Sequence, residues 1–196
     1  MNEHYYSENP SSKLKTRQIS VIIRNQHVAL TLVSGTFSAK KVDKGSLVLA
    51  DYMKVNENDT VLDLGCGIGV IGLVASKLTK NSVILTDINT RAVEMAEKNT
   101  QGISNISILQ GNLYEPVKDR KFDVILINVP QNAGRDICSS MIVQAKGHLN
   151  KNGSLQIVER HNRGGKFFED LMQETFGNLE ILAKKAGYWV CYSKLI

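Results

Sequence analysis

With 196 residues the chain has room for one full domain, whereas two independent cores would be cramped. An apolar fraction of 42% excludes a disordered chain, and no apolar run approaches the roughly 20 residues that span a bilayer. Basic residues outnumber acidic ones, 24 to 19, for a net charge of +5, and the three cysteines contain no C-x-x-C pair, which suggests neither a disulfide framework nor a zinc site. The polar start, MNEHYYSENPSSKLK, lacks the apolar core of a signal peptide, so a protein of the reducing cytoplasm is expected, with no membrane and no metal.

In chain order, residues 1–45 read as an N-terminal extension packed on a main domain of residues 46–196. Within the extension, HVALTLVSGTFS (27–38) reads as two short strands around Ser34-Gly35. From about residue 60 onward, strand-like runs alternate with helical patterns, the signature of a mostly parallel sheet. Strands are expected at VLDL (61–64), VILT (83–86), ISIL (106–109), VILIN (124–128) and LQIVE (155–159). The first, second and fourth are apolar on both faces, as strands covered by helices on both sides must be. Between them, Ile71, Val74, Ala75 and Leu78 share one helix face, and Ala92, Val93, Met95 and Ala96 share another that Asn89 is placed to cap. Ile137, Met141, Ala145 and Leu149 recur every four positions, and Phe167, Phe168, Leu171, Met172 and Phe176 draw a last stripe; all these are expected in the core. LEILAK, a KAG turn and YWVCYSKLI read as an antiparallel pair at one sheet edge. The expected fold class is α/β and Rossmann-like: a seven-stranded, mostly parallel sheet with a C-terminal antiparallel hairpin and a short N-terminal β extension. That arrangement belongs to methyltransferases more than to NAD enzymes.

The densest signal is VLDLGCGIGV (61–70), a strand running into Gly65, Gly67 and Gly69 and then a helix. Glycines there let the backbone turn sharply and let a ligand approach main-chain N–H groups. Asp63, at the strand end, can accept from nearby backbone N–H groups or help receive the amino group of a cationic amino-acid ligand. No Gly-Lys-Ser/Thr follows, which excludes a phosphate-binding P-loop. Asp87 ends the second strand, where an acidic residue takes both hydroxyls of a ribose. Pyrophosphate would gain little beside Asp63, so a nucleoside without phosphates, of the character of S-adenosylmethionine, is the better guest. Asn112 follows the third strand within reach of an adenine edge, and Ile88 and Leu113 are placed to sandwich the ring.

These residues sit in longer motifs: HYYSENP, GTFSAKKVDKGS (35–46), DLGCGIGVIGL (63–73), DIN (87–89), NLYEPVKDRKFD (112–123) and NVPQNAGR (128–135). By them the chain resembles the small-domain class of methyltransferases typified by the bacterial ribosomal RNA small-subunit methyltransferase C, and looks closest to its single-domain archaeal members. The resemblance implies that Asp63, Gly65, Gly67 and Gly69 bind the methionine part of the cofactor, Asp87 the ribose and Asn112 the adenine end. It also implies that the segment around Phe37 and Asp43 to Gly45 lies over that pocket, and that the substrate is a guanine exocyclic amine in ribosomal or transfer RNA.

In amine methyltransferases of this kind the fourth strand ends in Asn/Asp-Pro-Pro and an aromatic or apolar residue. A side-chain oxygen and a main-chain carbonyl hold the two N–H bonds of the amine, so that its lone pair faces the methyl group. This chain has Asn128-Val129-Pro130-Gln131, so Asn128 and Pro130 are the candidate catalytic residues. Val129 gives up the rigidity of a proline. Gln131 replaces a stacking residue; it can bond a base edge, or the stacking partner can come from elsewhere, with Tyr114 one candidate. His161 reads as part of a phosphate-facing loop or of plain surface. Basic clusters at 13–17, 40–44, 118–121 and 160–166 suit RNA phosphates, or are solvated surface charge. Open alternatives are methylation of a protein glutamine or a small amine, and a module that binds S-adenosylmethionine or RNA without chemistry.

Overall fold

The computed structural model describes residues 13, 15–36 and 41–196. Thr16–Ile23 (β1) and Gln26–Val33 (β2) alternate inward and outward residues and pair antiparallel as a separate two-stranded sheet. The hairpin therefore lies earlier than expected: its turn is Arg24-Asn25, and Ser34-Gly35 is the exit from β2. Both turn residues have positive φ, 49° and 59°, the combination that matches strand twist and that Asn-Gly usually supplies. Arginine tolerates it here because tertiary bonds hold the residue. Its N–H donates to Asp51 Oδ1 at 2.7 Å, its Nε to the Ala50 carbonyl at 2.8 Å, and its Nη2 to the Met53 carbonyl. Those carbonyls close the helix Lys44–Tyr52 (α1), an end where a cation is favoured.

The remaining elements are β3 (Val61–Leu64), α2 (Val70–Ala75), β4 (Val83–Asp87), α3 (Thr90–Asn99), β5 (Ile106–Gln110), β6 (Phe122–Asn128), α4 (Arg135–Ala145), β7 (Leu149–Arg160), α5 (Gly165–Phe176), β8 (Glu180–Lys185) and β9 (Tyr188–Lys194). They build a seven-stranded sheet in the order β5-β4-β3-β6-β7-β9-β8. β4 and β6 flank β3 in parallel, while β9 runs antiparallel to both β7 and β8. The fold is thus the Rossmann-like methyltransferase fold. The chain winds outward from β3 through β5 and then returns to β6 on the other side of β3. That reversal opens a crevice at the carboxyl ends of the central strands.

Strand periodicity feeds two cores. Val61, Val124 and Leu126 face the hairpin, α1, α2 and α3, and the alternate residues Leu62, Leu64, Ile125 and Ile127 face α4 and α5. Asn99 laces α3 to the hairpin, its Oδ1 accepting from Thr31 N at 2.7 Å and its Nδ2 donating to the Thr31 and Ile68 carbonyls. Three expectations shift. Phe167, expected in the core, is 37% exposed. α4 ends at Ala145, and Leu149, expected on its apolar stripe, opens β7 opposite Phe122. Ile137 is 44% exposed, and Cys138 and Ile142 take the core positions instead.

Candidate active site

The carboxyl ends of β3, β4 and β6 and the start of α4 surround one hollow of about 1140 Å³, its open mouth included. Of the ten residues singled out from the sequence, Gly65, Gly67, Asp87, Ile88, Asn112, Leu113, Asn128 and Pro130 line it. Asp63 and Gly69 do not.

The glycine loop explains the difference. Gly65, Gly67 and Gly69 all have positive φ, at 74°, 56° and 83°. The N–H groups of Gly65 and Cys66 donate to the Thr86 carbonyl, which pins the loop to β4. A Cβ at Gly67 would meet nothing within 4 Å, so the backbone there borders open space. Gly69 faces the protein instead: a Cβ would come 3.2 Å from that of Ala96, so this glycine seats α2 against α3.

Asp63 is 1% exposed beneath the loop, and its Oδ2 accepts from Gly72 N at 2.8 Å. Of the two partners open to it, the structure thus supplies a backbone N–H. Burial pushes its carboxyl up to about 7; the Gly72 N–H pulls downward, and the Asp87 charge adds to the rise. Asp87 accepts from Gly67 N at 2.8 Å and Asn89 N at 2.9 Å, yet burial still raises it. Asp63 Oδ1 and Thr86 Oγ1 are buried with no hydrogen-bond partner. Two desolvated carboxyls behind a glycine loop favour a cationic guest and disfavour a phosphate. The donor set therefore fits S-adenosylmethionine.

One wall comes from Ile88 and from Asn112-Leu113, where Leu113 is held at a positive φ of 48°. Thr36, Ser46, Ile137 and Met141 also line the hollow. The last two carry a helical stripe that sequence periodicity assigns to the core. Phe37 lies outside the described residues.

On the opposite wall, Asn128 ends β6. Its Nδ2 donates to Asp43 Oδ2 at 2.8 Å and to Ser46 Oγ at 2.9 Å. An ionised carboxylate only accepts, so Asp43 forces the amide nitrogen toward itself and leaves Oδ1 as the polar atom Asn128 has for the hollow. The same Asp43 oxygen caps α1 by accepting from Ser46 N at 3.0 Å. Gly45 fills the remaining space: a Cβ there would lie 2.8 Å from Asp43 Oδ2 and 3.0 Å from Asn128 Oδ1. The resemblance sets 43–45 over the cofactor; in the structure Asp43 acts on Asn128. The signal available in the sequence was the capping pattern Asp43-x-x-Ser46.

Pro130 adopts φ −79° and ψ 70°, a tight turn in which Gln131 N donates to the Val129 carbonyl at 2.9 Å. The Val129 carbonyl keeps its second lone pair. Gln131 does not face a base. Its Nε2 donates to the Arg160 and Arg163 carbonyls and its Oε1 accepts from Arg160 N at 2.9 Å, so the side chain ties this loop to the one after β7. Tyr114 is also unavailable for stacking: it is 3% exposed, stacks on His148 and donates to the Met141 carbonyl at 2.7 Å. Tyr114→Phe is expected to cost about 1 kcal/mol in urea unfolding and to leave ligand binding in the hollow unchanged. His161 is not plain surface, because its ring lies on Trp189 with Nδ1 3.0 Å from Glu169 Oε1.

Comparison with known proteins gives the family. The methyltransferase small domain model matches residues 27–192. A Bacillus subtilis protein, YbxB, named as uncharacterized, is 36% identical over 201 residues that cover 100% of both chains. The ribosomal RNA small subunit methyltransferase C of Haemophilus influenzae is 35% identical over 84% of this chain and 51% of its own length. Among solved structures, a T. thermophilus 16S rRNA N2 methyltransferase in complex with AdoMet and guanosine superposes with a TM-score of 0.81 at 25% identity, covering 95% of this chain and 52% of that one. The chain thus spans about half the length of the methyltransferase C relatives it matches. These relatives are bacterial, and the nearer likeness to archaeal members expected from the motifs is not supported. Among the described residues no helix is long and apolar enough to cross a membrane.

Proposed function

The chain belongs to the methyltransferase small-domain family, and on that premise we propose that it is an S-adenosylmethionine-dependent methyltransferase acting on the exocyclic N2 amine of a guanine in ribosomal or transfer RNA. S-Adenosylmethionine, when bound, supplies an electrophilic methyl group on a cationic sulfur. Asp87 offers acceptors for two ribose hydroxyls, Ile88 and Leu113 offer apolar faces for the adenine, and Asn112 an amide for its edge. The backbone at Gly65 and Gly67 walls the methionine part, and Asp63 contributes negative charge from beneath.

The observation that carries the acceptor reading is the fixed amide of Asn128, turned by Asp43 and Ser46 within the hollow that Asp87 also lines. An exocyclic amine is a poor nucleophile while its lone pair is delocalised into the base. Asn128 Oδ1 and the Val129 carbonyl hold its two N–H bonds and let the nitrogen become tetrahedral. No strong base is required, because the alkylated nitrogen releases its proton readily. Arg135, Arg160 and Arg163 are exposed beside this wall, where cations meet RNA phosphates. The guanosine bound to the T. thermophilus relative supports the same acceptor.

Incubation of the purified chain with methyl-labelled S-adenosylmethionine and undermodified total RNA, followed by nucleoside analysis, tests the reading. The expected product is N2-methylguanosine, formed in a strongly salt-sensitive reaction. Unlabelled RNA from a protein that binds the cofactor would overturn the RNA assignment.

A further inference from the structure

Away from the hollow, the end of β7 and the first turns of α5 converge on a second polar cluster. The Glu159 side chain is fully buried, and neither carboxylate oxygen has a hydrogen-bond partner. Its Oε1 lies 3.6 Å from His161 Nδ1, which in turn lies 3.0 Å from Oε1 of Glu169, itself 6% exposed. One ligand atom from each of the three falls within 4.8 Å of the others. A tetrahedral ion with bonds of about 2.1 Å spaces its ligands roughly 3.4 Å apart. The site is also built for a fixed geometry. The His161 ring stacks on Trp189 at 3.7 Å and 6°, and a Cβ at Gly165 would fall 1.6 Å from Glu159 Oε2. Only glycine lets α5 close over that carboxylate.

We propose that Glu159, His161 and Glu169 bind one divalent transition-metal ion of the zinc and manganese class. An isolated buried carboxylate is costly, and two beside each other more so. A divalent cation cancels both charges, whereas a protonated imidazole cancels one. Imidazole with two carboxylates is a donor set for zinc or manganese, and three protein ligands leave one position for water. The ion is held by residues on and flanking the 160–163 loop, whose backbone makes all three Gln131 hydrogen bonds. Metal binding thus braces the acceptor loop from behind without touching the methyl-transfer chemistry.

The test needs neither S-adenosylmethionine nor RNA, so its failure is distinct from failure of the proposed activity. Trp189 is the single tryptophan of the chain and lies on the His161 ring, which makes its fluorescence a local reporter. The chelator-treated full chain, titrated with zinc chloride and separately with manganese chloride, is expected to show a saturable fluorescence change. Calorimetry should give one ion per chain for at least one metal, with a raised melting temperature. Glu159→Gln and His161→Gln should each weaken binding by at least about 100-fold while circular dichroism stays native. Glu159→Gln, close in size and shape to the buried carboxyl, should also melt about as high as the metal-free parent and lose the metal-induced rise. Absence of saturable uptake of either ion, or unchanged affinity in both variants, would refute the site and leave Glu159 as a buried, protonated carboxyl.

Discussion

Asn128→Ala is expected to lower the rate of methyl transfer by about 10²–10³-fold, the usual consequence of deleting one preorganised polar group that acts in the transition state, with S-adenosylmethionine affinity nearly unchanged. Asn128 lines the hollow beside Pro130 and, in the proposed reading, holds the acceptor amine, so the loss should fall on kcat rather than on cofactor binding. The structure adds a sharper version of the same experiment. Asp43 Oδ2 lies 2.8 Å from Asn128 Nδ2, and Asp43 is the group that dictates which way the amide faces. Asp43→Asn keeps size and capping capacity but removes the obligatory acceptor, so the amide can turn over and present N–H groups where the amine needs an oxygen. Its expected signature is a smaller kcat loss than Asn128→Ala, again at constant cofactor affinity. Asn128→Asp should fail as well, since it sets a second carboxylate against Asp43. Single-turnover rates at saturating cofactor would check all three, and a full rate in Asn128→Ala would remove this residue from the mechanism.

The second large effect is expected at Asp87. Two hydrogen bonds from ribose hydroxyls to a carboxylate, at about 1.5–3 kcal/mol each, put the loss in Asp87→Ala at ~10²-fold or more in S-adenosylmethionine affinity. Part of that loss runs through the loop, because Asp87 also holds Gly67 N and Asn89 N. Calorimetry on Asp87→Ala, with Asp87→Asn as the smaller perturbation, measures it; unchanged affinity would exclude the ribose contact. The neighbouring Asp63 gives a pH signature. Its carboxyl is raised from the usual 3.8 to about 7, so the folded chain binds its proton more tightly than the unfolded chain does. The stability it contributes is complete below the unfolded value and is lost as the pH climbs through about 7. Between pH 5 and 8 the wild-type melting temperature should therefore fall by several degrees relative to Asp63→Asn, as scanning calorimetry at each pH would read. Parallel profiles would mean that Asp63 is not desolvated as the fold implies.

Residues 61–75 illustrate what local sequence can decide. A short buried run that ends in three glycines at alternate positions reads as a covered strand entering a turn of unusual backbone, so VLDLGCGIGV announces both the central strand and the hollow beside it. The same holds for Asp87 and Asn128, which follow apolar runs directly and so stand at the ends of β4 and β6, the two parallel strands that flank β3. The antiparallel C-terminal pair was equally legible, since Ala186-Gly187 is a tight turn between two strand patterns. These are short-range constraints of periodicity and backbone sterics.

Other features depended on partners far along the chain. The Arg24-Asn25 turn carries no glycine, and what makes it tolerable is bonding to residues 50–53. Ile137 and Met141 have the spacing of core residues; they border the hollow because α4 begins at the crevice, and a helical stripe does not say which of its residues meet protein and which meet ligand. Gln131 looked like a base-reading residue until the 160–163 loop came within its reach, and Tyr114 like a stacking residue until α4 covered it. Asp43 and Asn128 are 85 positions apart, and Glu159, His161 and Glu169 converge only because α5 folds back over the end of β7. Pattern along the chain therefore determined the strands of the seven-stranded sheet and the glycine loop. Tertiary structure decided the direction each polar side chain faces, because that direction is set by whichever donor or acceptor the fold brings opposite it.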